Sequence, residues 1–313
     1  MDLDRVHPEL RRMARRAPRM NVQSTISRRV ARLATRRLLP AAKVPGVAIR
    51  DVVDGAARLR LYTPDRPSGA AMVWVHGGGM VIGGPRQDDR LCAETAAELG
   101  VVVASVDYRM APEHPFPLPQ QDCLAVWTWL QAHAAPLGVD PTRVAVAGAS
   151  AGGGLAASAV NALRDAAAKG ASRLVEPAAQ WLLYPMLDDR TAARIDLDAV
   201  DHFVWNNAAN RFGWTALLLG TARPGDDAVP AAAAPARRTH LAGLPPTWIG
   251  VGDIDLFHDE DVAYAERLNE AGVAVTLDVV PGAPHGFETL GAEAAVVREF
   301  VARGRAWLAD ALA

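Results

Sequence analysis

A serine flanked by glycines is the first residue of this sequence that points to chemistry. Residues 148–152 are G-A-S-A-G, with Ser150 at the centre, and they lie between the apolar segment 143–147 and the Ala-rich segment 155–160. A strand, G-x-S-x-G and a helix in that order are typical of a nucleophile elbow, a strained turn that exposes the serine hydroxyl. The first amides of the helix then point toward charge that develops on a substrate. An ordinary glycine-rich turn is the alternative, because short matches to this pattern are common.

A run of three glycines, residues 77–79, is the second candidate. It follows the apolar segment 73–75 and His76, so that a predicted strand runs directly into the glycines. Consecutive glycines are poor formers of strand and helix, and one physical reason for them is that backbone N–H groups must approach a substrate oxygen closely. The His76 imidazole is expected to hold this loop by hydrogen bonds rather than to act as a base.

The histidines downstream of Ser150 are candidates for the base that a serine nucleophile needs, a base that is in turn oriented by a carboxylate. There are four of them: His202, His240, His258 and His285. In the fold that carries a nucleophile elbow, the acid and then the histidine follow the serine along the chain. His285 comes after the last predicted strand, in a loop that can lean over the serine, which a histidine within a helix cannot do easily. We therefore predict His285 as the base.

The order of these motifs resembles that of the hormone-sensitive-lipase-like esterases, the bacterial family IV of the α/β-hydrolase superfamily. Residues 107–117, D-Y-R-M-A-P-E-H-P-F-P, are close to that family's Y-R-L-A-P-E-H-P-F-P signature, and further matches lie at 252–260 and in the H-G-F of 285–287. The resemblance therefore extends over residues 74–287. It implies an α/β-hydrolase fold, with a mostly parallel central sheet of about eight strands flanked by helices and a helical cap.

The resemblance also implies which acid orients the base. The family pattern D-P-L-R-D-E aligns with D-L-F-H-D-E at 255–260, which points to Asp255. Asp253 is its rival because it lies nearer the strand end, whereas Asp259 is better suited to cap the helix that follows. The predicted catalytic residues are therefore Ser150, Asp255 and His285.

The oxyanion hole implied by the resemblance consists of the backbone amides of Gly78, Gly79 and Ala151. Met80 follows the glycines where many relatives carry an aromatic residue, and a flexible thioether at that point would give the substrate pocket an adaptable wall. We predict Met80 and Trp205 as substrate-binding residues.

Strand and helix patterns alternate along most of the chain, which predicts a mainly parallel sheet with right-handed crossovers. Two alternating segments within 47–63 flank Asp54-Gly55 and predict a β-hairpin. Further strands are predicted at 70–76, 101–106, 143–147, 179–184, 246–252 and 275–280, and helices at 88–99, 119–133, 151–168, 258–271 and from about 292.

The predicted domain organisation places N-terminal cap helices at 1–45, the first part of the α/β-hydrolase core at 46–186, a cap insertion at 187–222 and the second part of the core at 223–313. The insertion is rich in aromatic residues. A helical crossover with those aromatics facing the core is the alternative, but the interruption of the strand pattern is long for a plain connection.

Residues 1–40 are strongly basic, with eleven arginines and three acids, so that the remainder of the chain carries a net charge of −10. Two sets of apolar residues at helical spacing predict two amphipathic helices separated by Pro18. A pair of cap helices with solvated arginine faces is the favoured interpretation. Adhesion to an anionic membrane surface and a targeting presequence are the alternatives.

Composition excludes several other classes of protein. The net charge of −2 gives no reason to expect nucleic acid as a partner. Cys92 and Cys123 lie in predicted helices and indicate neither a disulfide framework nor a metal cluster. No apolar run approaches the roughly 18–20 residues that span a bilayer, so we expect a soluble, cytoplasmic protein without stable membrane insertion.

These predictions together describe a serine carboxylesterase that hydrolyses short- to medium-chain carboxylic esters through an acyl-enzyme on Ser150. A small-molecule ester is the expected partner, and no metal or organic cofactor is required. An acyltransferase, amidase or lactonase with the same triad is the alternative, followed by a non-catalytic small-ligand receptor on the same fold. Relatives commonly form homodimers, although no residue here marks an interface.

Overall fold

An eight-stranded sheet forms the centre of the computed structural model, which describes residues 1–17, 21–170 and 175–313. Its strands are β1 Val47–Asp54, β2 Ala57–Pro64, β3 Ala71–Val75, β4 Val102–Val106, β5 Val144–Ala149, β6 Ala179–Leu183, β7 Thr247–Gly252 and β8 Val275–Val280. Their spatial order is β1-β2-β4-β3-β5-β6-β7-β8. Strand β2 is antiparallel to β1 and β4, and the other neighbours are parallel. The mostly parallel sheet predicted from the sequence is therefore confirmed.

The predicted hairpin joins β1 and β2. Asp54 pairs with Ala57, and the turn between them contains Gly55 with a φ of 56°, a left-handed conformation that glycine adopts without strain. Because β2 also pairs with β4, the hairpin extends the parallel sheet by two antiparallel strands at one edge.

Ten α-helices surround the sheet in the described part of the chain. They are α1 Arg11–Arg16, α2 Thr25–Leu33, α3 Asp89–Leu99, α4 Leu118–Ala132, α5 Ala151–Ala168, α6 Asp189–Ala193, α7 Asn207–Leu217, α8 His258–Glu270, α9 Phe287–Leu290 and α10 Ala295–Ala311. The predicted strands and helices agree with these bounds within about two residues, except at the C-terminus, where the short α9 precedes a helix that begins at Ala295.

Side chains alternate between the two faces of the sheet, as the pleat of a strand requires. In β3, Val73 and Val75 join one hydrophobic cluster, which includes residues of α4, α5 and α8. Met72 and Trp74 join the other cluster, which includes residues of α3 and α10. The sheet is thus covered by helices on both faces, which is why every residue of β3 is buried.

The N-terminal segment contradicts part of the prediction for its arginines. In α2 the apolar residues Ile26, Val30 and Leu33 are exposed to solvent, while Arg28 is buried and Arg32 points toward the protein. The expected solvated arginine face is therefore wrong for Arg28 and Arg32, because their guanidinium groups find hydrogen-bond acceptors inside the molecule, whereas Arg29 is exposed. The predicted break at Pro18 lies outside the described residues.

The segment between β6 and β7 contains α6 and α7, and its aromatic residues divide between two environments. Trp214 is completely buried in the core cluster, whereas Trp205 lies in the loop before α7 and lines the cavity described below. Cys92 and Cys123 are buried free thiols in α3 and α4. Among the helices of the described ranges, none combines the length and the apolar character that crossing a bilayer requires.

Candidate active site

Ser150 occupies a sharp turn between β5 and α5, with φ 56° and ψ −124°. This conformation is strained for a residue with a side chain, and it persists only where the surroundings hold it. The Ser150 amide donates to the carbonyl oxygen of Leu183 at 2.9 Å, and the Ser150 carbonyl accepts from the amides of Gly154 and Met186 at 3.1 and 2.9 Å. The backbone on both sides of the serine is therefore fixed by neighbouring strands and helix.

The glycines around Ser150 allow α5 to pack directly against the sheet. A Cβ atom on Gly152 would lie 2.1 Å from the carbonyl oxygen of Val75, and one on Gly148 would lie 2.5 Å from the carbonyl oxygen of Gly152. Neither oxygen can move far, because both belong to backbone inside the core. The two glycines of the motif are thus required for close backbone packing.

The three residues predicted as catalytic lie together. The distance from His285 Nε2 to Ser150 Oγ is 2.9 Å, and His285 Nδ1 lies 2.8 and 3.1 Å from Asp255 Oδ2 and Oδ1. Asp255 Oδ1 also accepts from the Phe257 amide at 2.9 Å, and the Asp255 side chain is fully buried. This geometry can pass a proton from the serine to the histidine while the carboxylate faces the opposite ring nitrogen.

The rival acids make other contacts. Asp253 Oδ1 accepts from the Gly282 amide at 2.6 Å and so braces the loop that precedes His285. Asp259 is exposed and lies near His258 and Arg194, with the closest side-chain distances at 3.0 and 3.8 Å. Neither carboxylate has a recorded contact with the His285 ring, which leaves Asp255 as its partner within the described structure.

The His285 ring is enclosed by aromatic side chains. Its centroid lies 4.7 Å from that of Tyr184 and 5.2 Å from that of Phe257, both in edge-to-face arrangements. Such contacts restrict the ring to one plane and exclude water from its faces. The imidazole is therefore oriented by packing as well as by Asp255.

The glycine loop after β3 faces the serine. Gly78 and Gly79 have φ angles of 117° and 59°, and no hydrogen bond from their amides, or from the Ala151 amide, to another protein group occurs in the described ranges. A Cβ atom on Gly78 would lie 2.2 Å from the Ile82 carbonyl oxygen, so this backbone path requires glycine. The three amides predicted as the oxyanion hole are thus free to donate.

The His76 side chain holds this loop in place. Its Nδ1 lies 2.8 Å from the Gly77 carbonyl oxygen, and its ring stacks on Tyr108 at 4.2 Å between centroids. Complete burial lowers the pKa of His76 to about 4, so the neutral imidazole donates to the Gly77 carbonyl at physiological pH. This arrangement agrees with a structural rather than a basic role.

A cavity of about 370 Å³ connects these groups. Ser150 and His285 lie in its wall together with the glycine loop, Ile82, Val204 and Trp205, and most of the lining is apolar. The Trp205 ring packs on the backbone of Gly79, where a Cβ atom would lie 2.1 Å from it. Met80 has a different position, because its side chain is buried in the core cluster and is not part of this lining.

Two buried carboxyl groups at one end of the cavity were not predicted. Asp88 accepts from Trp74 Nε1 at 2.7 Å, and Glu288 accepts from the hydroxyl groups of Tyr184 and Thr289. Burial, together with a smaller effect of the Glu288 carboxylate, raises the pKa of Asp88 to about 7. The position of Glu288 directly after H-G-F was the signal available in the sequence.

Comparison with known proteins agrees with this fold. A family model described as the alpha/beta hydrolase fold matches residues 72–289. The ethyl acetate hydrolase of Pseudomonas putida is 36% identical over 239 residues, which cover 74% of this chain and 72% of that protein. Carboxylesterase NlhH of Mycobacterium tuberculosis is 34% identical over 267 residues, which cover 81% of this chain and 78% of that protein.

Solved structures extend the likeness to the whole chain. A bacterial heroin esterase superposes with a TM-score of 0.90 at 36% identity and covers 99% of both chains. Esterase LipW from Mycobacterium marinum has a TM-score of 0.83 at 34% identity, covering 99% of this chain and 96% of that one. A parallel sheet with a serine elbow and a histidine loop defines an α/β hydrolase. The chain belongs to the α/β-hydrolase family, in its hormone-sensitive-lipase-like group, as the sequence motifs predicted.

Proposed function

We propose that this protein is a serine carboxylesterase that hydrolyses short- to medium-chain carboxylic esters through an acyl-enzyme on Ser150. The observation that carries the proposal is the continuous hydrogen-bonded series from Ser150 through His285 to Asp255, at 2.9 and 2.8 Å, in the wall of a cavity. The reaction type is supported by the relatives, which include proteins named as carboxylic ester hydrolases.

In the first step, Ser150 Oγ attacks the ester carbonyl carbon while His285 Nε2 takes the hydroxyl proton. The carbonyl oxygen becomes an oxyanion that accepts hydrogen bonds from the amides of Gly78, Gly79 and Ala151. Asp255 keeps the tautomer of His285 that carries a proton on Nδ1, and it stabilises the imidazolium without taking that proton.

The oxyanion then collapses and the bond between the acyl carbon and the alcohol oxygen breaks, so that the alcohol leaves with the proton from His285 and Ser150 is acylated. Water enters, His285 removes one of its protons, and the resulting hydroxide attacks the acyl carbon. The second oxyanion collapses, the carboxylic acid departs, and the proton on His285 returns to Ser150. Each proton transfer uses the same nitrogen, Nε2, which lies 2.9 Å from Ser150 Oγ.

The size and lining of the cavity support the proposed substrate class. A volume of about 370 Å³ falls at the small end of ligand pockets, which range from roughly 300 to 1,000 Å³. Ile82, Val204 and Trp205 offer apolar contact to an acyl or alcohol group, whereas a triglyceride with long chains exceeds this space.

A fluorophosphonate probe tests the proposal, because it labels only an activated serine. We expect one adduct by intact mass on the wild-type protein and none on Ser150→Ala. Ser158→Ala, in the helix that follows Ser150, provides a matched control and should keep the adduct. A folded wild-type protein that takes no label would contradict the proposal. Product analysis with an added acceptor alcohol then separates hydrolysis from acyl transfer.

A further inference from the structure

The cap helix α2 carries an apolar stripe that faces away from the protein. Ile26, Val30 and Leu33 follow one another at helical spacing and are 76%, 61% and 51% exposed, and Leu38, beyond the helix, is 69% exposed. We call these four side chains the outer stripe. Single exposed apolar residues are common, but four within thirteen residues form a patch of the kind that marks an interaction site.

The opposite face of α2 fixes this orientation. Arg28 donates to the carbonyl oxygen of Val22 at 2.7 Å and lies over the ring of Phe212 at 4.9 Å. Arg32 donates to the carbonyl oxygens of Val81 and Ala111 at 2.8 and 2.7 Å. A rotation of the helix that buried the outer stripe would expose these acceptors and break the arginine contacts. The stripe therefore faces outward because the arginines are held inward.

The surroundings of the outer stripe are positively charged. Residues 21–40 contain five arginines and no acidic residue. Two of them, Arg29 and Arg37, are exposed and form no ion pair among the described residues. Apolar side chains bordered by uncompensated arginines match the boundary between the headgroups and the acyl chains of an anionic bilayer.

The outer stripe also adjoins the substrate cavity. Ala31, Ala34 and Thr35, from α2 and the turn that follows it, line the cavity that contains Ser150. A surface that bound the stripe would therefore lie on the outer side of a segment that forms part of the cavity wall.

We propose that the outer stripe docks this protein on an anionic lipid surface. A second copy of the chain is less suited to cover the outer stripe. A symmetric contact through the stripe would bring the positive charges of Arg29 and Arg37 from both copies together. Docking does not depend on the proposed esterase activity, but it would place the cavity beside esters dissolved in the lipid.

Vesicle co-sedimentation tests this proposal, with vesicles of phosphatidylcholine alone and of phosphatidylcholine mixed with phosphatidylglycerol. We expect the wild-type protein to bind the anionic vesicles and to lose binding as NaCl rises from about 0.05 to about 0.5 M, since salt screens exposed charges. The triple variant Ile26→Ser, Val30→Ser, Leu33→Ser should bind on the order of tenfold or more weakly. Arg29→Gln combined with Arg37→Gln should reduce binding to anionic vesicles and weaken its dependence on salt.

The matched control removes the same three residue types from other exposed positions. Val53, Ile195 and Leu219 are 67%, 78% and 56% exposed, and their triple change to Ser should leave vesicle binding intact. Equal binding by both triple variants, or no binding by the wild-type protein, would overturn the proposal. A wild-type dimer that the stripe variant converts to a monomer, without lipid binding, would show instead that the stripe joins two copies. Because Ser150→Ala protein can be used throughout, the result does not depend on catalysis.

Discussion

The hydrogen bonds of the Asp255 carboxylate make catalysis sensitive to its replacement by an amide. Its two oxygens face His285 Nδ1, and one of them also accepts from the Phe257 amide. The carboxylate therefore has one orientation, and His285 has one tautomer that satisfies it. An amide in its place would offer a donor to a nitrogen that must itself donate.

Replacement of Asp255 by Asn should thus reduce kcat by about 10⁴-fold, because the histidine would favour the wrong tautomer. Asp253→Asn should reduce kcat by less than about tenfold, since the Asn oxygen can still accept from the Gly282 amide. Steady-state hydrolysis of a short-chain 4-nitrophenyl ester measures kcat for both variants. The reverse order of effects would show that Asp253 is the catalytic acid.

A substitution at Gly78 tests the predicted oxyanion hole. A side chain there would lie 2.2 Å from the Ile82 carbonyl oxygen, so the loop must shift and carry its amides away from the oxyanion. We expect Gly78→Ala to lower kcat by about 10²–10³-fold, the loss typical of one oxyanion donor. The measurement is kcat on the same ester, with circular dichroism to verify folding.

Gly272→Ala is the matched control for this change. Gly272 also has a positive φ, 79°, but a Cβ atom there meets nothing within 4 Å. Both changes place a side chain on backbone with a positive φ, but the one at Gly272 does not touch the glycine loop, so kcat should stay near the wild-type value. A similar loss of kcat in both variants would attribute the effect to strain rather than to the oxyanion hole.

The strands and their loops explain how distant residues meet. The glycine loop follows β3, Ser150 follows β5, Asp255 follows β7 and His285 follows β8. Because these strands are parallel, their carboxyl ends lie at one edge of the sheet, where such folds place their ligand sites.

Helix α2 is attached to the rest of the protein by arginine contacts, which makes its attachment testable. Arg32 donates to two backbone carbonyl oxygens and to Glu113 at 2.9 Å. Arg32→Gln should reduce the local stability of α2 by about 2 kcal/mol, since charged hydrogen bonds contribute roughly that much. Hydrogen exchange over residues 25–38 should accelerate accordingly, and KM should rise more than kcat falls because α2 forms part of the cavity wall.

Arg50→Gln is the control for that variant, because Arg50 is exposed on β1. It should leave both exchange and kinetics unchanged. If exchange in α2 were the same in Arg32→Gln as in the wild-type protein, the arginine contacts would not be what holds this helix.

At the scale of the whole molecule, a layer of aromatic side chains links the core to the histidine loop. Trp181 contacts Trp74 and Trp248 edge to face. The series continues from Trp248 to Phe300 and from Phe300 to Phe287. All five are completely buried or nearly so. Since these rings belong to β3, β6, β7, α9 and α10, the loop that carries His285 shares its packing with the global core.

Global stability should also depend on the ionisation of Asp88. Its pKa is about 7 in the folded protein against an ordinary 3.8, so folding favours the protonated form. The stabilisation of the folded state by protonated Asp88 is therefore complete below about pH 4 and is lost as the pH rises through 7. Asp88→Asn cannot ionise and can still accept from Trp74. Its free energy of unfolding should match the wild-type value near pH 4 and exceed it by about 4 kcal/mol above pH 8.

Urea denaturation of both proteins across this pH range measures the difference. The value at pH 4 is the internal control, because both side chains are neutral there. A difference that did not change with pH would show that burial does not raise the pKa of Asp88.

The sequence alone was sufficient to predict the α/β fold, the hydrogen-bonded hairpin and the residues that the edge of the sheet brings together. These features depend on local requirements: alternation in strands, glycine where two backbones touch, and a fixed order of motifs along the chain. His285 lies within hydrogen-bonding distance of both Ser150 and Asp255, while the catalytic roles of the three residues stay predictions.

Other features depend on partners that are remote in sequence and could not be inferred from local pattern. The inward orientation of Arg32 requires acceptors 49 to 81 residues away, and the position of Glu288 at the cavity requires Tyr184, 104 residues away. Met80 follows the glycine loop but turns into the core. A helical pattern shows which residues share a face, whereas the direction in which that face points is set by the groups that the fold places opposite it.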